Sequence, residues 1–246
     1  VYAHGDRPRA VALMRSVCKD APEEPRHLVE LGDFLVSGSL GERAEAESLW
    51  TTLASDAERV TSSIRVEAYE RLANVAAFHG DYARVRTLIA EAAKLPIDGN
   101  ARRQLEAKTY ALAYEGPAGA ALRGYFFGGT TPGFDSLRWA QFVTLTEPAV
   151  GFGYYLLGLQ YANSGDWALS AAALDRSLEL GLPGLLFVKN AARRLAVSAY
   201  RANDVVRVGK SIAYLTGSGM GTPDRLLAKD WQDRLIFAVT PVAAAR

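Results

Sequence analysis

Residues that commonly do chemistry in proteins are few and scattered in this chain of 246 residues. The three histidines, His4, His27 and His79, lie far apart, and Cys18 is the single cysteine. A zinc site would require two ligands at positions i and i+4 or a cluster of Cys and His, and neither pattern occurs. We therefore predict no metal site and interpret Cys18 as a structural thiol within a helix.

Motifs for catalysis are also missing from the sequence. Gly151, Phe152 and Gly153 resemble part of a phosphate-binding loop, but no further glycine or Lys-Ser/Thr pair stands at the required spacing. No serine lies in a G-x-S-x-G elbow. Glu67 and Glu70 are spaced i,i+3, which is typical of a solvated helix face rather than of catalytic carboxylates. The sequence therefore predicts a protein that is not an enzyme and uses no cofactor.

Composition and charge narrow the class of protein. Hydrophobic residues make up 49% of the chain and charged residues 22%, as expected of a folded protein. The 28 Lys and Arg residues are interspersed with 27 Asp and Glu residues, without the concentrated basic face that nucleic-acid binding requires. The longest stretch of low charge, residues 139–162, is interrupted by Glu147 and Pro148 and fits short packed helices better than a membrane span. We expect neither nucleic-acid binding nor membrane insertion.

The elements that would position any binding site are helices that recur along the chain. The clearest unit covers residues 154–183. Its first helix contains Leu157, Gly158 and Tyr161, a Ser-Gly-Asp-Trp turn follows, and a second apolar helix ends before Pro183. This pattern resembles the tetratricopeptide (TPR) repeat, in which W-x2-L-G-x2-Y is followed by A-x3-F and then by P. The corresponding positions hold Tyr154, Leu157, Gly158, Tyr161, Ser170, Leu174 and Pro183.

The turn between the two helices of this unit recurs throughout the chain. Successive turn residues are spaced by 36, 39, 36, 49 and 38 positions, a little more than the period of about 34 in TPR repeats. We therefore predict one helix pair per interval. The aligned turn residues are Gly5, Gly41, Gly80, Gly116, Gly165 and Asn203.

The resemblance implies an all-α fold, a right-handed α-α superhelix of antiparallel helix pairs that ends in a capping helix. We predict a single array over residues 1–246. It comprises a partial repeat at 1–20, helix pairs at 24–55, 65–97, 100–127, 150–183 and 184–216, an irregular insertion at 128–149, and the capping helix at 223–240. Because the partial repeat lacks most of its first helix, we expect the chain to be a piece of a longer protein.

The repeat pattern also predicts which side chains are buried. The partial repeat is expected to pack through an apolar stripe of Ala10, Leu13, Met14 and Val17. In the capping helix, Asp224 is assigned to a charged face opposite an apolar stripe. Lys108 stands where the pattern expects a buried leucine, which makes the pair at 100–127 the weakest match.

The resemblance further implies where a partner would bind, since residues beside the buried Leu-Gly pair of each first helix line a concave groove in TPR arrays. The implied partner-binding residues are Glu70, Asn74, Phe78, Arg103, Tyr110, Tyr114, Phe152, Tyr155, Leu159, Asn163 and Arg193, and Glu67, Glu106, Asn190 and Arg201 share their face. Tyrosine offers a large contact area with a polar tip, and asparagine can pair with a peptide backbone. Glu67 and Glu70 stand beside Asn74, so a clamp for a C-terminal carboxylate is not expected.

Two interpretations remain open for the aromatic residues. Tyr110, Tyr114 and Tyr155 either line the groove or pack between adjacent units. A second aromatic group flanks the sequence GGTTPG and either fills the gap that this break leaves in the array or docks a partner. Its members are Tyr125, Phe126, Phe127 and Phe134.

These expectations favour a non-catalytic scaffold that binds a peptide or protein segment in its groove. One alternative is a structural segment of a larger bacterial envelope, secretion or polysaccharide-export assembly, and another is the regulatory repeat region of a larger enzyme. The abundance of arginine and alanine suggests a bacterial source. Neither the identity of the partner nor the compartment follows from the sequence.

Overall fold

A computed structural model describes residues 6–128 and 132–239 of the chain, with side chains as far as Ile236. These residues form thirteen α-helices and no strand, which confirms the predicted all-α class. The helices fall into two compact units, Val1–Leu112 (unit 1) and Ala113–Arg246 (unit 2). No helix among the described residues is both long and apolar enough to cross a membrane.

Unit 1 contains six of the helices, which are α1 (Arg7–Asp20), α2 (Pro25–Leu35), α3 (Leu40–Ser55), α4 (Ser62–Phe78), α5 (Tyr82–Ala93) and α6 (Gly99–Leu112). Unit 2 contains α7 (Gly116–Gly128), α8 (Ser136–Thr146), α9 (Gly151–Ser164), α10 (Trp167–Leu180), α11 (Leu185–Arg201), α12 (Val205–Thr216) and α13 (Thr222–Val239).

Helices that follow each other in sequence pack against each other within each unit. The longer-range contacts join next-but-one helices, namely α2 with α4, α9 with α11 and α10 with α12. Contacts restricted to near neighbours are typical of helical repeats, because each repeat buries its apolar face only against the adjoining one. The pair predicted at 100–127 corresponds to α6 at the end of unit 1 and α7 at the start of unit 2, and the predicted insertion contains α8. The single array stays a prediction.

Three predicted features lie outside the described residues. They are the helix expected at residues 1–4 with its turn at Gly5, the central part of GGTTPG at 129–131, and the last residue of the predicted capping helix at 240.

The same tight turn joins the two helices of three pairs. At Gly80, Gly165 and Asn203 the backbone is left-handed, with φ of 76°, 83° and 56°. In each turn, the amide of the following aspartate donates to the carbonyl five residues earlier, over 2.9, 2.9 and 2.8 Å. This is the bonding of a Schellman motif, which glycine adopts without steric cost and asparagine tolerates. Gly41 differs from its aligned partners, since it lies within the first turn of α3.

The aspartate after a turn commonly starts the next helix. The side chains of Asp6, Asp81 and Asp204 accept a hydrogen bond from the backbone amide three residues later, over 3.2, 3.0 and 3.0 Å. Asp135 caps α8 in the same way at 3.0 Å. Each such cap satisfies an amide that the helix itself cannot pair, which contributes about 1 kcal/mol. Turn and cap together reverse the chain within a few residues.

Gly158 marks the close approach of α9 and α10. A Cβ atom at this position would lie 2.6 Å from Cγ of Leu174. The buried hydroxyl of Ser170 donates to the Gly158 carbonyl over 2.8 Å. The hydroxyl oxygen of Ser198 in α11 lies 2.8 Å from the hydroxyl oxygen of Ser170. Small residues therefore let three consecutive helices of unit 2 pack closely.

A tryptophan fills the corresponding position in unit 1. Trp50 of α3 is 1% exposed and lies against Gly32 of α2, where a Cβ atom would collide with the indole nitrogen. Its Nε1–H donates to the carbonyl of Val29 over 3.4 Å. Leu31 and Leu35 are buried in the same core cluster.

The predicted stripe of α1 is partly wrong. Ala10 and Met14 are buried, but Leu13 is 51% exposed and Val17 is exposed too, whereas Val11 is buried. The reason is that α1 packs mainly on α2 and meets α3 through the ion pairs Arg7–Glu42 and Arg15–Glu45, so its buried apolar stripe is narrow.

Gly80→Ala should destabilise the protein by about 1–2 kcal/mol, because a Cβ atom is strained in the left-handed conformation. Gly41→Ala is the matched control, since Gly41 lies in a helix with open space around it. We expect this control to be neutral or stabilising. Urea unfolding followed by circular dichroism measures both, and equal effects would contradict the turn assignment.

Gly158→Ala should cost about 1–3 kcal/mol, because the new methyl group must displace Leu174. Gly209 lies within α12 with nothing near its Cβ direction, so Gly209→Ala should stabilise the same unit by about 0.5–1 kcal/mol. Opposite shifts of the thermal midpoint are expected. A stabilising Gly158→Ala would show that α9 and α10 are not in close contact at this point.

Candidate partner-binding cleft

A cleft of about 650 Å³ opens in unit 1 and is lined by residues of α2, α3, α4 and α6. Three residues of the implied partner-binding set, Glu70, Asn74 and Phe78, are in its lining. The remaining charged residues of the lining are Asp33, Arg43, Glu47, Arg71 and Lys108, and its apolar residues include Val36, Trp50 and Val75. We call this space the unit 1 cleft.

Helix α4 presents its part of the cleft as one stripe. Glu70, Asn74 and Phe78 are spaced i, i+4 and i+8, which places them on the same helix face. Leu72 and Ala73 on the other side are buried. Along the stripe, exposure rises from 8% at Glu70 to 83% at Phe78, the last residue of the helix. The stripe therefore runs from a buried carboxylate to an exposed phenyl ring.

A buried ion pair forms the closed end of this stripe. The Nζ atom of Lys108 in α6 donates to Oε1 of Glu70 over 2.9 Å, and the two side chains are only 12% and 10% exposed. Lys108 therefore occupies the predicted leucine position because a carboxylate on the neighbouring first helix compensates its charge. The two residues are 38 positions apart in sequence, so no local sequence pattern predicts the pair.

The other carboxylates of the cleft are also engaged. Arg71 donates to both oxygens of Asp33, over 3.2 Å each, and Arg84 lies 3.0 Å from Glu47. Burial by itself would lower the pKa of the Arg71 guanidinium, but the hydrogen bonds and charge of Asp33 outweigh it and raise that pKa. These pairs hold the side chains of the walls in place and compensate the charge of both carboxylates.

Arg43 is the lining cation that forms no ion pair with the described residues. Its Nε–H donates to the carbonyl of Gly38 over 3.0 Å, which holds the stem of the guanidinium. The terminal nitrogens remain able to donate to a ligand. The amide of Asn74, which is exposed, can both donate and accept. The cleft thus combines hydrogen-bonding groups for a peptide backbone with an apolar contact at Phe78.

The other implied residues near the end of unit 1 lie outside the cleft lining. Arg103 is exposed on α6 and donates to Oδ1 of Asn100 over 3.2 Å. Tyr110 is half-buried on α6. Tyr114 belongs to unit 2, where it is half-buried and its carbonyl accepts a hydrogen bond from Arg123 over 2.8 Å.

The structure buries Phe152, which corrects its assignment to a groove, and it buries Tyr155, which agrees with the packing interpretation rather than with groove exposure. They are 1% and 7% exposed, and their rings lie 5.7 Å apart within an aromatic cluster. Tyr125 contacts Phe152 at 5.3 Å, and the other rings of the cluster belong to Phe126, Phe134, Trp139 and Phe187. Tyr125, Phe126 and Phe134, which flank GGTTPG, therefore pack with other rings of unit 2, in agreement with one of the two interpretations left open. Burial raises the pKa of the Tyr125 and Tyr155 hydroxyls.

The last three implied residues lie on α9 and α11. Leu159 is half-buried and Asn163 is exposed. Arg193 is engaged, since it donates to Oδ1 of Asp224 from both Nε and a terminal nitrogen. Asp224 is 2% exposed, so its assignment to a charged surface is wrong. Burial by itself would raise the pKa of this carboxyl, but hydrogen bonds from Arg193 and the Gly221 amide hold the pKa below its usual value.

No family model matches this chain, and no curated protein matches its sequence. Within residues 6–128 and 132–239, no group of His, Cys, Asp and Glu is arranged to hold a metal ion.

Glu70→Gln should destabilise unit 1 by about 3 kcal/mol, because it removes the carboxylate that faces the buried Lys108 ammonium. Replacing both residues, as Glu70→Leu with Lys108→Met, should restore most of that loss. Urea unfolding of the two variants measures the difference. A Glu70→Gln midpoint equal to that of the unaltered chain would mean that the pair contributes nothing to stability.

Proposed function

We propose that this chain is a helical-repeat scaffold that binds an extended segment of a partner protein in the unit 1 cleft. The observation that carries the proposal is Phe78, a phenyl ring that lines the cleft and yet is 83% exposed. An aromatic ring at the edge of a concave, polar surface is a common anchor in protein interfaces, where burying it gives much of the binding energy.

The groups beside Phe78 suit a peptide backbone. Asn74 lies one helical turn before Phe78 and can pair with both a backbone N–H and a carbonyl. Arg43 of α3 supplies further donors, and its stem is held by the carbonyl of Gly38. A bound segment would place an apolar side chain on Phe78 and direct backbone carbonyls or a polar side chain to Arg43. The engaged carboxylates Asp33 and Glu47 make a strongly basic segment a poor ligand.

We also propose that the repeats are of the TPR type and wind as a right-handed superhelix. The turn shared by three helix pairs, the close approach at Gly158 and the packing of consecutive helices within each unit support this proposal. On this view the chain is a non-catalytic component of a larger complex. Solution scattering tests the superhelix, which requires an elongated particle rather than a sphere of the same mass.

Phe78→Ala should weaken capture of the partner about tenfold or more, because a buried aromatic anchor carries a large share of interface energy. Leu40→Ala is the matched control, since Leu40 in unit 1 is equally exposed at 83% but lies outside the cleft lining. Proteins recovered from a lysate by each immobilised variant are quantified by mass spectrometry. A partner that is lost from neither variant, or equally from both, would contradict the proposed site.

A further inference from the structure

A second, smaller crevice lies within unit 2 and has a different chemistry. Its volume is about 290 Å³, and its lining combines apolar side chains with arginines. Trp167 at the start of α10 and Trp231 of α13 contribute indole rings, Val197 and Leu227 add aliphatic surface, and Arg194 lies beside them. Val197 is 38% exposed, so part of this apolar surface is in contact with water.

Arg201 stacks on Trp167, a lining residue of this crevice, and its hydrogen-bonding capacity is unused. Its guanidinium carbon lies 4.4 Å from the centre of the Trp167 ring. Stacking uses the face of the guanidinium, while the N–H donors point outward in its plane. Arg201 makes no ion pair and no side-chain hydrogen bond with the described residues. Trp167 thus orients a cation whose donors are free for a ligand.

The charges around the crevice leave two arginines without carboxylate partners. Arg193 and Lys189 are both committed to the buried Asp224. Arg194 is exposed and, within the described part of the chain, forms no ion pair. Asp166 lines a neighbouring crevice with Arg201, but it accepts a hydrogen bond from Ser164 over 3.0 Å and is not ion-paired with the arginine. The surface that Arg194 and Arg201 share is therefore cationic.

A buried donor in the wall also lacks an acceptor. The Nε1 atom of Trp231 is buried and has no hydrogen-bond partner among the described residues. Because this atom is shielded from solvent, the donors that a ligand in the crevice would meet are those of Arg194 and Arg201.

We infer that this crevice, which we call the Trp167 crevice, binds an acidic polypeptide segment in which carboxylates flank an apolar side chain. The apolar side chain lies between Trp167 and Trp231 against Val197. The flanking carboxylates receive charge-assisted hydrogen bonds from Arg194 and Arg201, whose guanidinium planes match the geometry of a carboxylate. Nucleic acid is a less suitable ligand, because the basic and acidic residues of this protein are balanced in number and interspersed. The inference is independent of the unit 1 cleft, since it uses other residues in the other unit.

Fluorescence anisotropy with a labelled synthetic peptide, a central leucine flanked by glutamates, tests this inference on the whole chain. The peptide should bind, and adding salt should weaken the binding. The double variant Arg194→Gln with Arg201→Gln should bind at least about tenfold more weakly, because it removes two charge-assisted hydrogen-bonding groups. Arg138→Gln is the matched control, since Arg138 in unit 2 has a side chain that is 88% exposed and lies outside the crevice. This control should bind as the unaltered chain does.

A second peptide, with glutamine in place of every glutamate, separates charge from apolar contact and should bind at least about tenfold more weakly. The inference is overturned if the acidic peptide does not bind, if the glutamine peptide binds equally well, or if the double variant is unaffected while its circular dichroism is unchanged. Tighter binding of a single-stranded oligonucleotide than of the acidic peptide would also overturn it. The Phe78→Ala variant should bind the acidic peptide normally, so failure at one site is distinguishable from failure at the other.

Discussion

The left-handed turn at Gly80, Gly165 and Asn203 is the constraint on which the helix pairs depend. A residue that adopts positive φ without strain lets the chain reverse direction within a few residues. The backbone amide of the following aspartate then donates a hydrogen bond to a carbonyl in the last turn of the preceding helix. The reversal brings the two helices of a pair together along their length. It is this proximity that requires a small residue at Gly158, where the backbone of α9 approaches α10. The turn and the close approach are therefore parts of one packing solution.

The same reversal explains where the two candidate binding surfaces lie. Glu70, Asn74 and Phe78 belong to α4, which ends at the turn of Gly80, and Arg194 and Arg201 belong to α11, which ends at the turn of Asn203. In each case the helix before the turn buries one stripe against its neighbours and leaves another with polar, aromatic or charged side chains. The repeat thus supplies stability on one helix face, and the other face is free to vary in chemistry.

Local features of this fold were predictable from sequence, and distant pairings were not. Glycine before aspartate marks the turns because few residues tolerate positive φ, and Gly158 is recognisable within its repeat motif. Asp224 was assigned to a charged face and Lys108 was only noted as a departure from the pattern, because their compensating charges lie on other helices, more than thirty positions away. Phe152 looked like a groove residue because α9 alone does not reveal the rings that cover it, which come from the segment around α8. The shared helix face of Asn74 and Phe78 could be predicted because both residues lie in one helix, where their spacing determines the face.

Photo-crosslinking from position 78 tests the central claim most directly. A photoreactive phenylalanine analogue in place of Phe78 should form an adduct with a defined segment of one partner protein, because that ring lines the cleft and is exposed. The same analogue in place of Leu40, which is equally exposed outside the lining, should not form it. Adducts from both positions in equal yield, or none from position 78 while the partner still co-purifies with the chain, would contradict binding in the cleft.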